Sequence, residues 1–422
     1  MKRRIVISGL GFITSIGNSR DEVLRSLREC RTGIELFPDF AGDDVPIKLA
    51  GTVKGFTFPT ARFDDWTYPA DYQIGRDQLR SMTPNSLYAF CAMEQAIREA
   101  QLTPELVSNP RTGLLCASAG SMWLAYESLH TLVTRGVSRV QPMATVNGIP
   151  GSLYINLVAG YKIKGGSMGC SSACSSSAHA LGLAADMIQL GRQDMMFVVG
   201  AEDCNRYNIL PFASVRALSA QTDPAKSPCA FDIKRDGFVG TGGAAVLVVE
   251  ELEHALQRGA PICAEVLGWG QASDGYNVVI PEPTGDGLRR AIEAALFDAQ
   301  IQPDDVDYIN AHATSTVAGD ISECHALRQV FCGDKQPWVS STKSLTGHGL
   351  SLAGAMEASF CSLALQERFT PVSANITELD PACADIRIVT ESVFDAPRIL
   401  LSNSSGFGGT NVSIAMKRWE GS

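Results

Sequence analysis

Gly169-Cys170-Ser171-Ser172-Ala173-Cys174-Ser175-Ser176-Ser177-Ala178-His179-Ala180 is a run of small and polar residues that leads straight into an apolar-periodic segment, Leu181, Ala184, Ile188 and Leu190. The spacing predicts a helix whose N-terminus is built from Ser, Cys and Ala. A thiol placed there feels the positive end of the helix dipole, so Cys174 is expected to have a lowered pKa and to populate thiolate. Small neighbours leave room for a substrate to reach the sulfur. A buried structural cysteine beside a serine-capped helix is the competing account, and the rest of the chain decides between the two.

Outward from this stretch, the pattern alternates between strands and helices. Residues 161–168 read as a strand leading into it, and 194–200 as a near-continuous apolar strand covered on both faces. Nearer the start, Arg4-Ile5-Val6-Ile7 is a short strand, and Ser19-Arg20-Asp21-Glu22 is a capping box opening a helix through Leu27. Residues 37–82 lack a sustained period and read as an irregular surface excursion. An amphipathic helix is expected at 86–100, a strand at 113–116, helical or irregular chain at 122–140, a helix at 150–157 and a buried strand at 244–250. From Cys263 the order begins again: a strand at 263–268, an amphipathic helix at 287–300, a strand at 307–310, a helix at 322–331, a strand at 338–340, a fully apolar helix at 354–367, and strands at 400–403 and 412–416. This alternation indicates an α/β fold. With no Pro-, Gly- or Ser-rich linker, the chain is expected to form one body of two similar halves, 1–255 and 256–422.

The net charge of −10 argues against nucleic acid as the main partner. Only Ile5-Val6-Ile7 follows the basic start before Ser8-Gly9, too short for a secretory leader, and no run is long enough for a membrane span. The twelve cysteines lack zinc-ligand spacing, so a reduced, cytoplasmic protein is expected. Gly9-Leu10-Gly11 fails as a dinucleotide fingerprint because Thr14 stands where a glycine is needed. Cys170 and Cys174 are separated by three residues, not the two that thiol–disulfide exchange motifs favour.

Catalytic groups in α/β folds gather where strands end. Cys174, His312, Lys343 with His348, and Gly406-Phe407-Gly408-Gly409 all sit at such junctions. A glycine-rich loop can aim backbone N–H groups at a developing oxyanion. A thiolate, two imidazoles and such a loop suit acyl transfer through a thioester, with the imidazoles stabilising an enolate. Lys343 helps set the charge and disfavours a second cation nearby.

At these residues the chain resembles the β-ketoacyl-acyl carrier protein synthases of the thiolase fold, most closely the synthase I type, over essentially its whole length. The resemblance rests on Gly9-Leu10-Gly11, Ser171-Ser172-Ala173-Cys174, Phe231-Asp232-Ile233-Lys234-Arg235-Asp236-Gly237-Phe238-Val239, His312-Ala313-Thr314-Ser315-Thr316, Lys343-Ser344-Leu345-Thr346-Gly347-His348 and Gly406-Phe407-Gly408-Gly409-Thr410-Asn411. It implies two βαβαβαββ halves in a five-layered αβαβα core, the first carrying the nucleophilic cysteine and the second the histidines. It implies that Cys174 takes the acyl chain, with the N–H groups of Cys174 and Phe407 as oxyanion hole. His312 and His348 would bind the malonyl thioester, drive decarboxylation and stabilise the enolate, with Lys343 holding His348. Glu323, Phe231 and Asp232 would support the site, and Thr314 and Thr316 would bind the phosphopantetheine arm. Phe212, Ser405 and Phe407 would line or gate the acyl pocket. Asn310, Glu357, Ser402 and Asn403 match positions that surround a monovalent cation in some members; no cofactor is implied.

Three departures stand out. Ala313 replaces the usual Gly after the first histidine, Ser405 replaces the usual Phe beside the gate, and Thr241-Gly242-Gly243-Ala244 lacks a glutamate found in many relatives. The expected reaction is decarboxylative condensation of an acyl thioester with malonyl-carrier. A specialised branch for a secondary lipid or polyene pigment stays open because of Ser405. A non-catalytic, chain-length-setting subunit would have lost Cys174, and a degradative thiolase would carry a second cysteine in 406–411. The resemblance implies an acyl carrier protein as partner and a homodimer, with a heterodimer with a paralogue left open. Arg135, Arg139 and Arg216 are candidates for the basic rim an acidic carrier needs.

Overall fold

The computed structural model describes residues 2–42, 44–391 and 396–421; Met1, Asp43, 392–395 and Ser422 lie outside it. Ten strands form the main sheet: β1 (Ile5–Ile13), β2 (Thr112–Ala117), β3 (Ser167–Cys170), β4 (Met195–Glu202), β5 (Gly243–Glu251), β6 (Ala264–Ser273), β7 (Tyr308–Asn310), β8 (Trp338–Ser340), β9 (Ile399–Gly406) and β10 (Thr410–Arg418). The longer helices are α1 (Arg20–Arg28), α2 (Pro84–Glu99), α3 (Met122–Arg135), α4 (Ser152–Tyr161), α5 (Ser176–Gln189), α6 (Asp286–Ala299), α7 (Val317–Val330) and α8 (Ala353–Glu367).

The strand order β3-β2-β4-β5-β1-β6-β10-β9-β7-β8 contains one pattern twice. Within β1–β5 the order is third, second, fourth, fifth, first, and β6–β10 repeat it. The pairing sense repeats too. β2 runs parallel to β3 and β4, while β5 is antiparallel to β4 and β1. Likewise β7 runs parallel to β8 and β9, while β10 is antiparallel to β9 and β6. The two five-stranded units join through a short antiparallel pairing of Ile5–Ile7 with Val266–Ala264. The duplication is therefore carried by topology where residue identity between halves is weak.

Helices fill three further layers. α2 and α4 cover the outer face of the first unit, α6 and α7 that of the second, and α5 and α8 lie between them. This is the α/β thiolase-like architecture, αβαβα. A helix enclosed on all sides needs small, apolar residues all round, and α8 is buried from Ala353 to Leu365. At the meeting of the two central helices, a Cβ on Gly354 would lie 2.7 Å from the Ala178 nitrogen, and Ala355 N–H donates to Ser177 Oγ at 2.8 Å.

Several expectations need correction. The strand expected over 161–168 is shorter and later, Ser167–Cys170; Tyr161 ends α4, and Lys162 caps it with φ of 53°. Residues 37–82 are not merely surface: Phe40, Phe56, Trp66 and Met82 are buried. α2 is not amphipathic but buried without a break from Pro84 to Met93. Leu190 lies beyond α5 and is exposed. The glycines of Gly9-Leu10-Gly11 lie within β1, where they admit α2: a Cβ at Gly11 would stand 1.9 Å from the Ala92 carbonyl oxygen.

That contact yields a stability test. Gly11→Val forces α2 off the sheet, and overpacking of this kind costs about 1–3 kcal/mol. The expected result is a lowered urea midpoint at unchanged slope; an unchanged midpoint would mean that the helix backbone yields freely.

Candidate active site

The C-terminal ends of β3, β7 and β8 and the β9–β10 hairpin converge on one cleft, lined among others by Cys174, His312, His348, Phe212, Thr314, Thr316, Ser405 and Phe407. Cys174 follows β3, two residues before α5. Its turn is built by serines: Ser172 N–H donates to Ser176 Oγ at 2.8 Å, Ser176 Oγ to Ala173 O at 2.6 Å and Ser175 Oγ to Ser172 O at 2.8 Å. Ala173 takes φ of 51°, a left-handed conformation that turns the next side chain toward the cleft. The hairpin backbone lies against this turn, since a Cβ on Gly406 would stand 2.8 Å from Ser172 O and 3.0 Å from the Cys174 nitrogen. Thr410 Oγ1 donates to Ser172 O at 3.1 Å.

The expected lowering of the Cys174 pKa is not what the folded site produces. Burial pushes the thiol up to about 12, outweighing the downward pull of Lys343 and the Phe407 N–H. The resting group is a thiol. His179, in the same stretch, bonds Ser172 Oγ and Gln271 Oε1, each at 2.8 Å, and does not line the cleft; nor does Cys170.

The His312 and His348 rings meet edge to face with centroids 5.3 Å apart. Burial first, then Lys343 and, for His312, the neighbouring His348, hold both imidazoles well below their usual pKa. Each Nδ1 is buried without a hydrogen-bond partner, which leaves Nε2 as the nitrogen available in the cleft. His348 is clamped by its backbone: its N–H donates to Val239 O at 2.7 Å, and Thr241 N–H donates to its carbonyl at 3.0 Å. Gly347 precedes it at φ of 82°, with the Val239 oxygen 2.9 Å from where a Cβ would be.

Glu323 on α7 holds the His312 loop by accepting from His312 N–H at 3.1 Å, Ala313 N–H at 2.7 Å and Asn403 Nδ2 at 3.1 Å. Ala313 has no left-handed φ, so its Cβ is accommodated without strain. Phe231 and Asp232 do not line the cleft; they brace it from behind. Phe231 N–H donates to Asp320 at 2.9 Å, and Asp232 accepts from Thr377 and Glu378 N–H. Arg235, almost fully buried, bridges Asp320 and Asp380.

Lys343 is 1% exposed and pairs with the fully buried Glu357. Burial pushes the Glu357 carboxyl up to about 7 despite the ammonium. Its Oε2 and Asn310 Oδ1 are buried acceptors without partners. Asn403 contributes no side chain there, because its amide is spent on Glu323 and on accepting from Ser413.

Along the cleft wall runs a series of rings, Phe407–Phe212 at 5.8 Å, Phe212–Phe238 at 5.5 Å and Phe238–His348 at 5.2 Å. Phe238 and Asp274 were not among the expected site residues. The sequence signal for Asp274 was Ser273-Asp274-Gly275, an acid and a glycine at the end of an apolar strand.

A buried thiol, two neutral imidazoles and a buried ammonium, gathered at the crossover loops of a duplicated α/β fold, define a condensing acyltransferase of the thiolase class. The profile of the β-ketoacyl synthase N-terminal domain matches residues 2–255, and that of the C-terminal domain residues 263–377. A 3-oxoacyl-[acyl-carrier-protein] synthase 1 of Haemophilus influenzae is 42% identical, covering 99% of this chain and 100% of that protein. The crystal structure of a β-ketoacyl synthase from Burkholderia phymatum superposes with a TM-score of 0.91 at 34% identity, over 100% of both chains. A ketosynthase solved in complex with its type II PKS acyl-carrier protein gives 0.88 at 26% identity, again over 100% of both. The chain belongs to the β-ketoacyl synthase family.

The neutral imidazoles carry a pH signature. Each takes up a proton near its usual pKa only on unfolding, so below about pH 6.5 the unfolded chain binds more protons and stability falls as pH falls. Replacing both histidines by Asn is expected to flatten that acid slope by up to about 1.4 kcal/mol per pH unit for each ring. Urea unfolding at several acidic and neutral pH values reads it; an unchanged slope would mean that the rings titrate freely in the fold.

Proposed function

We propose that this chain is a 3-oxoacyl-carrier-protein synthase, which joins an acyl group held on Cys174 to a malonyl group held on a carrier and releases carbon dioxide. The observation that carries this reading is the convergence of Cys174, His312 and His348 on one cleft. In the first step, Cys174 Sγ attacks the carbonyl of the acyl thioester. The N–H groups of Cys174 and Phe407 stabilise the oxyanion; the carrier thiol leaves with the cysteine proton, and the acyl group stays on sulfur. Raising the thiol pKa disfavours free thiolate at rest, so the proton departs only as the new C–S bond forms.

In the second step, the Nε2–H groups of His312 and His348 donate to the carbonyl oxygen of the malonyl thioester. The bond to the carboxylate breaks, carbon dioxide leaves and its electron pair forms an enolate. Neutral rings suit this role, since each offers a donor without adding a cation beside Lys343. The enolate carbon then attacks the acyl-Cys174 carbonyl, and the cysteine sulfur leaves as thiolate and takes up one proton from water, the proton consumed in the overall reaction. Thr314 and Thr316, whose hydroxyls lie 3.1 Å apart, hold the pantetheine arm. Phe212 lines the acyl path and Phe407 gates it. A monovalent cation held by Asn310 and Glu357, with the Ser402 and Asn403 backbone beside them, would offset the buried carboxylate charge.

A homodimer is supported by Met122, Tyr126, Leu129 and Val133, an exposed apolar stripe along α3, and by β3, which is an edge strand exposing Met168. Exposed Arg135, Arg139 and Arg216 supply a basic rim for an acyl carrier protein. The twelve cysteines, none in a disulfide, suit a reducing cytoplasm. Sedimentation should give the dimer mass for the native chain and the monomer mass for Leu129→Glu with Val133→Glu; a native monomer would remove this surface as an interface.

The decisive experiment combines the protein with acyl-carrier and malonyl-carrier and follows intact mass. The native chain is expected to gain the acyl group on Cys174 and to form β-ketoacyl-carrier, and Cys174→Ala to do neither. His312→Ala and His348→Ala should still acylate but lose condensation by about 10²–10³-fold, as when an oxyanion donor is removed. Acylation without any condensed product in the native chain would overturn the reading.

A further inference from the structure

A second cavity, which shares no lining residue with the catalytic cleft, opens between α2, the start of α3 and the aromatic excursion that precedes α2. Its rings include Phe56, Phe58, Tyr88 and Trp123. The wall is fixed by the chain itself. Thr57 and Thr67 exchange backbone hydrogen bonds at 3.0 and 3.1 Å, which closes the loop between them, and inside that loop Trp66 Nε1 donates to Thr60 O at 2.8 Å. Phe58 then stands edge-on to Trp66 at 5.3 Å and to Tyr88 at 5.5 Å, and Phe56 stands edge-on to Tyr88 at 5.0 Å.

Tyr88 is 7% exposed and held between these two phenylalanine edges, so the position of its hydroxyl is set. That hydroxyl has no hydrogen-bond partner among the described residues, and neither has Trp123 Nε1. A buried tyrosine ordinarily spends its hydroxyl on a partner, and a buried donor left unpaired is costly. The charged groups of the cavity do not call for an ion. Asp39 accepts the Arg206 N–H at 2.6 Å, which sets an acid beside a base of opposite sign. Asp203 accepts the Asn85 N–H at 2.6 Å, and burial pushes its carboxyl up to about 7, toward the neutral form. Ring faces and unused donors are what the cavity offers, and such a lining suits an apolar body with one well-placed acceptor.

We propose that this cavity is a binding site for a neutral, planar aromatic molecule that carries a carbonyl oxygen, with its rings against Phe58 and Trp123 and its oxygen accepting from the Tyr88 hydroxyl. The site is separate from the one that holds the thioester substrates.

The test titrates the assembled native protein, by calorimetry, with acetylnaphthalene and with ethylnaphthalene, which has the same rings and no oxygen. The ketone is expected to bind about 2- to 10-fold tighter than the hydrocarbon, the range of one neutral hydrogen bond. Tyr88→Phe keeps the ring and removes the donor, so it should erase that difference and leave the affinity for the hydrocarbon unchanged. Phe58→Leu should weaken both ligands; if it does not fold, Tyr88→Phe decides alone. Naphthylmethylammonium and naphthoate, titrated in the same way, should bind more weakly than the ketone. Tighter binding of the ammonium would assign the cavity to a cation held by Asp39 and Asp203 and overturn the proposal. Tighter binding of the naphthoate overturns it too, as does a ketone preference that survives Tyr88→Phe or a native protein that binds neither neutral ligand.

Discussion

The site depends on a single close contact, the meeting of the N-terminal turns of α5 and α8. Gly354 admits Ala178, and Ser177 Oγ accepts the Ala355 N–H, so two helix starts share one small space. Each brings the positive end of its dipole. Cys174 lies just before one helix, and His348 just before the short turn that leads into the other. The fold thereby concentrates positive potential where negative charge appears during thioester chemistry, and it does so with backbone that cannot reorganise. Burying that centre has a cost, visible in a thiol and a Glu357 carboxyl both pushed upward and in imidazoles pushed down. Each of these shifts favours the neutral form of its group.

The loops around this centre are fixed by two acids, Glu323 in the cleft wall and Asp320 behind it. Glu323 binds two successive backbone N–H groups at His312, and Asp320 binds Phe231 and Ser315 N–H while facing Arg235. These are full-strength acceptors in a low-dielectric setting, where an unmade hydrogen bond is expensive. The histidine backbone is accordingly tied down while its ring is left free for a ligand.

Much of this was legible in the sequence, for a physical reason. Strands buried on both faces write themselves as apolar runs, as at Met195–Glu202 and Gly243–Glu251, and the groups at their ends stand out against them. Cys174, His312, Lys343 and His348 could be singled out in that way. What escaped depended on contacts distant in the chain. Phe40, Phe56 and Trp66 are spaced without a period, and only tertiary packing buries them. Tyr161-Lys162-Ile163 alternates like a strand, yet Lys162 turns left-handed to close a helix. The helix dipole at Cys174 was visible locally, whereas the burial that outweighs it comes from residues distant in the chain, among them Phe40, Ile209, Phe238 and Leu350. The same holds for Asn403, matched to a cation site but engaged by Glu323 from α7.

The repeated strand order has a historical implication. An ancestral unit of five strands, associating with a second copy about the axis between α5 and α8, would have presented the same crossover loop twice, once from each copy. Fusion into a single chain broke that equivalence and allowed division of labour. One loop came to carry Cys174, and its counterpart, after the third strand of the second unit, came to carry Lys343 and His348. A strictly symmetric pair of units would carry the same side chains in both loops, and this pair does not.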